Sequence, residues 1–110
     1  MDVRVTHHID KGEQGPDGLY DYYYEYDLIE MDFGDGRVAR ARRYVEEEPD
    51  SVSILGVENT KRPGVFEMLY DAPEAAQIVS NLRKRGFGKI RVLDKKGYEP
   101  LDLSRVKDVQ

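Results

Sequence analysis

The sequence predicts an α+β fold: an antiparallel, mostly meander sheet of about five to seven strands, with one amphipathic helix at about residues 72–85 packed on one face. Several segments alternate apolar and polar residues, as half-buried strands do. Turn-forming stretches containing glycine, proline or asparagine separate these segments. One further stretch carries apolar residues at helical spacing. A chain of 110 residues is long enough for one core, so we expect a single domain, residues 1–110.

The N-terminal part of the chain predicts two strands with a loop between them. Residues 3–9 alternate in polarity and predict a short strand near a sheet edge. Residues 10–18 contain three glycines and a proline, which predict a mobile loop. Residues 19–33 predict a long strand whose apolar parity changes at Leu28 and Ile29. One extra residue inverts the faces of a strand, so we expect a bulge or bend at that point.

A hairpin should join this long strand to a third strand at residues 37–45. Residues 34–36 have the sequence Gly-Asp-Gly, which tolerates the positive φ angles of a tight turn. A three-residue loop then sets a register with two opposite-charge pairs and one aromatic pair, each contributing about 0.2 to 1 kcal/mol. The expected partners are Tyr26 with Tyr44, Asp27 with Arg43, Ile29 with Ala41, Glu30 with Arg40, and Met31 with Ala39.

The helix is the best specified element of the second half of the chain. Asp71 is a favourable N-cap, Glu74 has capping-box spacing, and Gly86 ends the helix. Ala75, Ile78, Val79 and Leu82 recur at helical intervals. The other expected elements are a turn at 46–50, strands at 51–57, 65–70, 89–93 and 98–103, and a tail at 104–110 that frays or forms one helical turn.

Composition excludes several classes of function. The chain has no cysteine, which removes disulfides, thiolate metal sites and cysteine nucleophiles and suits a cytoplasmic protein. No apolar run approaches the roughly 20 residues of a membrane-spanning helix, so we expect no membrane association. His7 and His8 are adjacent on a strand and point to opposite faces, so they do not chelate one ion. We therefore expect no metal and no cofactor.

The sharpest feature is a run of tyrosines among carboxylates, DYYYEYDLIE, at residues 21–30. Burying every phenol hydroxyl would be costly, so we expect some of these rings at the surface. Tyrosines supply contact area at interfaces and carboxylates steer a basic partner. The leading interpretation is a small acidic, non-enzymatic protein-binding module that engages a basic protein surface, for example an inhibitor or an immunity-type protein. The expected binding residues are Tyr20, Asp21, Tyr22, Tyr24, Glu25, Tyr26, Glu46, Glu47 and Glu48.

Three alternatives stay open at this point. A nucleic-acid-binding module could use the basic 83–96 region, in which Arg83, Arg85, Lys89 and Arg91 are the expected contacts. A small-ligand binder or enzyme could form a pocket between helix and sheet, with His7, Tyr24 or Glu30 in it. No catalytic motif accompanies these residues. A homodimer could form through an exposed strand edge.

Overall fold

The computed structural model describes residues 1–106, and the α+β architecture is confirmed. Seven strands form one mostly antiparallel sheet, and one α-helix packs on it. The strands are β1 (Asp2–Lys11), β2 (Tyr23–Asp32), β3 (Arg37–Tyr44), β4 (Ser51–Asn59), β5 (Phe66–Glu67), β6 (Lys89–Asp94) and β7 (Gly97–Pro100). The helices are α1 (Ala75–Lys84) and two one-turn 3₁₀ helices at Leu69–Asp71 and Leu103–Arg105. The expected tail at 104–110 begins in the second 3₁₀ helix, and its last four residues lie outside the described part.

The sheet order is β1-β2-β3-β4-β6-β7, with β5 paired to β4 beside this path. The first four strands form the expected meander. β4 and β6, however, run parallel, with Val52 opposite Ile90 and Ile54 opposite Val92. The connection between them contains β5 and α1, and a helical crossover brings the chain back in the same direction. The sheet is therefore a meander with one parallel pair in its second half.

The expected register of the β2–β3 hairpin is confirmed at every pair. Tyr26 lies opposite Tyr44, and the two opposite-charge pairs also form contacts between their side chains. Arg40 Nε donates to Glu30 Oε2 at 3.1 Å, and Arg43 Nη1 donates to Asp27 Oδ2 at 3.3 Å. Turn length and charge pairing together fix this part of the fold.

The expected bulge at Leu28 and Ile29 is wrong, because β2 pairs without interruption with both of its neighbours. Its apolar parity changes because different faces are buried at its two ends. Ile29 lies on the face covered by α1, whereas Tyr26 is buried on the opposite face. The irregularity lies in β4 instead, where Arg40 pairs with Gly56 and Ala41 pairs with Ile54.

The core lies between the sheet and α1. Side chains of alternate sheet residues meet the apolar stripe of the helix, and the fully buried members include Met31, Ile54, Ile78 and Leu82. We call the sheet surface on this side the helix face. The opposite surface, which carries Tyr26, Arg42 and Ser53, is the open face.

The helix begins three residues later than expected. Asp71 belongs to a 3₁₀ turn, and the N-cap position of α1 is Glu74, which makes no side-chain capping bond. Its carboxylate instead accepts two hydrogen bonds from Arg37, from Nε at 2.6 Å and from Nη2 at 3.0 Å. The charged pair ties the start of β3 to the start of the helix. Gly86, with φ of 97°, ends the helix as expected.

Candidate functional site

β1 and β2 continue beyond the rest of the sheet as a two-stranded arm, which we define as residues 9–25. Pairing of β2 with β3 ends at Tyr26, and the last backbone bond there runs from Val45 N to Glu25 O, at 3.0 Å. Further out, the two arm strands pair with each other. Gly12 N donates to Tyr22 O at 2.9 Å. The segment expected to be a mobile loop is therefore mostly the far end of a hairpin.

The arm holds most of the net charge of the chain. It contains five carboxylates and one lysine, a net charge of −4, whereas the whole chain carries −5. The charged residues are Asp10, Lys11, Glu13, Asp17, Asp21 and Glu25. A projecting element of one sign of charge concentrates the electrostatic field at its surface.

Four tyrosines form a continuous row on the open face, running from the arm onto the sheet. The rings of Tyr22 and Tyr24 are stacked, with centroids 6.1 Å apart. Tyr24 meets Tyr44 edge-on at 6.4 Å, and Tyr44 lies 5.6 Å from Tyr26. We call this group, Tyr22, Tyr24, Tyr44 and Tyr26, the tyrosine row. It joins the exposed arm to the sheet through ring contacts, each worth about 0.5 to 1.5 kcal/mol beyond the area buried.

Tyr26 anchors the inner end of the row. Its residue surface is 5% exposed, and its hydroxyl donates to Asp10 Oδ2 at 2.9 Å. The guanidinium of Arg42 lies over its ring at 4.5 Å, and His8 stacks on it with a centroid distance of 5.5 Å. Burial is the main cause that raises the pKa of Tyr26, and the hydrogen bond to Asp10 raises it further. Tyr26, expected to be a binding residue, thus lies beneath the surface and supports its neighbours.

The outer tyrosines of the arm are the exposed ones. Tyr22 and Tyr24 retain 52% and 55% of their surface, on the open face. Tyr20 does not share their face, because its ring contacts Tyr23 at 5.8 Å and Lys11 Nζ at 5.0 Å. Lys11 and Tyr23 are opposite each other in the ladder. The arm therefore presents aromatic rings on both of its faces.

The carboxylates expected to steer a partner differ in their surroundings. Asp21 is exposed on the arm. Glu25 is engaged, because its Oε2 lies 2.7 Å from His7 Nε2, while His7 Nδ1 lies 2.8 Å from Asp27 Oδ1. Hydrogen bonds to Asp27 and Glu25 raise the pKa of His7. This histidine therefore bridges two carboxylates of β2 at the point where the arm leaves the rest of the sheet.

The carboxylates of residues 46–48 lie in the β3–β4 turn, directly after Tyr44 in the chain. Glu48 forms an ion pair with Lys89, which lowers the pKa of Glu48. Glu47 Oε1 lies 3.9 Å from Arg91 Nη1. Glu46 is exposed and belongs to no ion pair among residues 1–106. These groups line a cleft of about 450 Å³ together with Ser51, Ile90 and Pro100.

The basic residues considered for nucleic-acid binding do not form one surface. Lys89 and Arg91 alternate with buried Ile90 and therefore lie on the open face, where the turn carboxylates pair with them. Arg83 and Arg85 are exposed at the end of α1, on the other side of the sheet. The sheet separates the two pairs of cations.

The residues considered for a catalytic pocket are also separated. His7 shares a face with Asp27 and Glu25, because the three side chains are in contact. Tyr24 and Glu30 are even-numbered residues of the same uninterrupted strand and project to the opposite face. The space between helix and sheet is filled by apolar side chains such as Leu69 and Ile78. Within residues 1–106, no group of histidine and carboxylate side chains could hold a metal ion.

Sequence reasoning missed the residues that hold the tyrosine row in place. Tyr44 was paired with Tyr26 but was not considered part of the site, and His8 and Arg42 were not connected with it. The register contained part of the signal, since His8 and Tyr44 lie directly opposite Tyr26 on its two sides.

No protein-family model matches the chain, and no curated protein and no solved structure gives a significant match. The fold therefore defines the class, a mostly antiparallel α+β protein, and the arm is its distinguishing feature. Among residues 1–106, no helix is long and apolar enough to cross a membrane.

Proposed function

We propose that this protein is a non-enzymatic protein-binding module of the cytoplasm whose arm engages a basic surface of another protein. The observation that carries the proposal is the arm itself, which combines a net charge of −4 with half-exposed tyrosine rings. An inhibitor or immunity-type role is one form that such binding takes. The lack of cysteine supports the cytoplasmic location.

The tyrosine row supports tight binding because its side chains are already ordered in the free protein, so that binding costs less conformational entropy. Tyr26 is fixed by Asp10 and Arg42, and the ring contacts continue through Tyr44 to Tyr24. Side chains that are already ordered lose less conformational entropy on association. The exposed rings can also stack with arginine side chains of a basic partner, as Arg42 does with Tyr26.

The expected binding residues have different roles in this proposal. Tyr22 and Tyr24 supply the main contact, and Asp21 supplies unengaged negative charge beside them. Tyr20 contributes on the second face of the arm. Glu25 has a local partner in His7 and serves mainly to position the arm. Glu46 adds negative charge at the root, whereas Glu47 and Glu48 compensate nearby cations.

An affinity pull-down from the native host, followed by mass spectrometry, tests the proposal with the double variant Tyr22→Ser/Tyr24→Ser. Both side chains are about half exposed, so the variant is expected to fold normally in a thermal melt. A matched control changes two exposed apolar residues away from the arm, Val65→Ser/Leu103→Ser. The arm variant should lose the partner and the control should keep it. An unchanged partner list from a folded arm variant would overturn the proposal.

The salt dependence of binding provides a second measurement for this test. Steering by exposed charges weakens as the Debye length falls from about 10 Å at 0.1 M salt to about 3 Å at 1 M. Association with the captured partner should therefore slow as salt rises, and Asp21→Asn should reduce the slope. Anisotropy measurements with single- and double-stranded oligonucleotides at low salt should show no binding. Oligonucleotide binding that is lost on changing Arg83 and Arg85 would favour the nucleic-acid alternative instead.

A further inference from the structure

In the part of the chain that the structure describes, β1 forms the longer of the two edges of the sheet. It has ten residues, contains no proline and pairs without a bulge to β2. Within residues 1–106, no strand pairs with its outer side. The opposite edge is protected in the usual ways, because β7 has four residues and ends at Pro100. β1 is thus the edge at which another strand can add to the sheet.

The backbone groups available at this edge belong to the odd-numbered residues. Gly12 N donates to Tyr22 O, and antiparallel pairing alternates along a strand, so even-numbered residues of β1 bond to β2. The backbone N–H and C=O groups of Val5, His7 and Ile9 consequently point outward. The side chains of Val5 and Ile9 are exposed and lie on the same face.

We propose that a second copy of this chain adds to the β1 edge in antiparallel orientation, about a two-fold axis at His7. In this register Arg4 lies opposite Asp10 of the second copy, and Val5 lies opposite Ile9. The two-fold axis repeats each pair, as in any isologous dimer. Two seven-stranded sheets then join into one continuous sheet.

Charge and apolar matching select this register. Moving it by two residues in one direction places Asp2 opposite Asp10, which is repulsive. Moving it in the other direction places Ile9 opposite His7 and Arg4 opposite Gly12, which loses both the apolar pair and the opposite-charge pair. The side chain of Arg4 is 72% exposed and pairs with Glu30 at 3.0 Å, so its remaining donors can reach a second carboxylate.

The centre of the dimer carries balanced charge. His7 lies on the two-fold axis, and its imidazole contacts Glu25 and Asp27 of its own chain. Arg43 contacts the second of these carboxylates at 3.3 Å. When His7 is protonated, the charges of His7, Glu25, Asp27 and Arg43 sum to zero in each copy. In that state each histidine belongs to a neutral cluster, which reduces the repulsion between the two histidines at the axis.

The edge contact leaves the exposed rings of the tyrosine row uncovered, and the two surfaces share Asp10, whose carboxylate also accepts from Tyr26. The rings of Tyr22 and Tyr24 project from the open face, whereas the dimer uses backbone groups in the plane of the sheet. The dimer goes beyond the proposed function and does not depend on it. A monomeric protein could still bind a basic partner through its arm.

Cysteine pairing tests the register directly, because the natural chain contains no cysteine. We expect a disulfide when Val5→Cys protein is mixed with Ile9→Cys protein, since opposed Cα atoms lie about 5.5 Å apart. Each variant alone should stay unlinked, because identical residues are then offset by about 13 Å along the strand. Cross-linking of either variant with itself, or no cross-linking in the mixture, would refute the register.

Light scattering on the unmodified protein provides the complementary measurement. The expected mass is twice the chain mass of 12.7 kDa. Arg4→Asp and Asp10→Arg should each give monomers, because each places like charges opposite one another at both ends of the contact. Their mixture should recover the dimer by restoring opposite charges. A natural chain that keeps the monomer mass up to the highest concentration at which it stays in solution would overturn the proposal.

Discussion

Replacing Tyr26 with phenylalanine tests how firmly the inner end of the tyrosine row is held. The change keeps the ring, with its contacts to His8, Tyr44 and Arg42, and removes the hydrogen bond to Asp10. A hydrogen bond to a charged group such as the Asp10 carboxylate contributes about 1.5 to 3 kcal/mol. Because Asp10 is exposed, we expect the free energy of unfolding to fall by about 1.5 kcal/mol, the lower end of this range.

Tyr26→Ala removes the ring as well and should cost much more. The residue is 5% exposed, and truncation of a buried aromatic ring to alanine costs about 3 to 5 kcal/mol. Urea denaturation followed by circular dichroism measures both values. Tyr24→Phe is the matched control, because its side chain is about half exposed; it should change stability by less than about 0.5 kcal/mol.

The Tyr26–Asp10 contact can be isolated by a double-mutant cycle with Asp10→Ala. Two residues in direct contact should show a coupling of at least about 0.5 kcal/mol. Zero coupling, or a cost of Tyr26→Ala no larger than that of Tyr24→Phe, would refute the assignment of Tyr26 as the anchor of the arm.

Three further predictions concern the elements around the arm. Gly56→Ala should lower the melting temperature more than Gly64→Ala. Both glycines have a positive φ, which costs an alanine about 1 to 3 kcal/mol of backbone strain, but only at Gly56 would the added Cβ also clash with a carbonyl oxygen of β5. Equal melting temperatures of the two variants would contradict the bulge geometry. His7 has a raised pKa, so its contribution to stability is complete below pH 6.5 and is lost as pH rises through the folded-state pKa; His7→Gln should remove this part of the pH–stability profile. The hydrogen bonds from Arg37 lower the pKa of Glu74, so the stability that this pair contributes is lost as pH falls below 4.5. Glu74→Gln should make the free energy of unfolding less dependent on pH in this range, and an unchanged dependence would refute the Arg37–Glu74 ion pair.

The register of the β2–β3 hairpin could be derived from sequence because several local signals agree. The Gly-Asp-Gly turn has a defined length, and only one nearby register pairs Asp27 with Arg43 and Glu30 with Arg40. The end of α1 was equally clear, because Gly86 adopts a positive φ angle that other residues avoid. Local chemistry therefore determined these features.

The position of the irregularity required knowledge of both sheet faces. A change of apolar parity has two physical causes: an extra residue, or a change in the face that is covered. At Leu28 and Ile29 the second cause operates, since Tyr26 is covered by His8 and Arg42 on the open face. These neighbours come from other strands, so the sequence of β2 alone could not distinguish the two causes.

The arm shows the same limit for the candidate site. The tyrosines and carboxylates were visible in the sequence, but their exposure depends on where β3 stops pairing with β2. Residues 10–18 have a loop-like composition, and their pairing follows from the continued β1–β2 ladder. The separation of His7 from Tyr24 likewise depends on an uninterrupted strand. The residue types could be predicted from the sequence, whereas the exposure of these side chains could not.

Photo-crosslinking from the arm tests the central claim most directly. A benzophenone amino acid placed at Tyr24 in the native host should form a covalent adduct with a specific basic protein, and raised salt should reduce its yield. The matched position is Phe66 on β5, which is also partly exposed and pairs with Glu58 at the end of β4 away from the arm; it should give no such adduct. Adducts of the same protein from Phe66 alone, or no adduct from Tyr24 in a folded protein, would contradict the account of the arm as the binding surface.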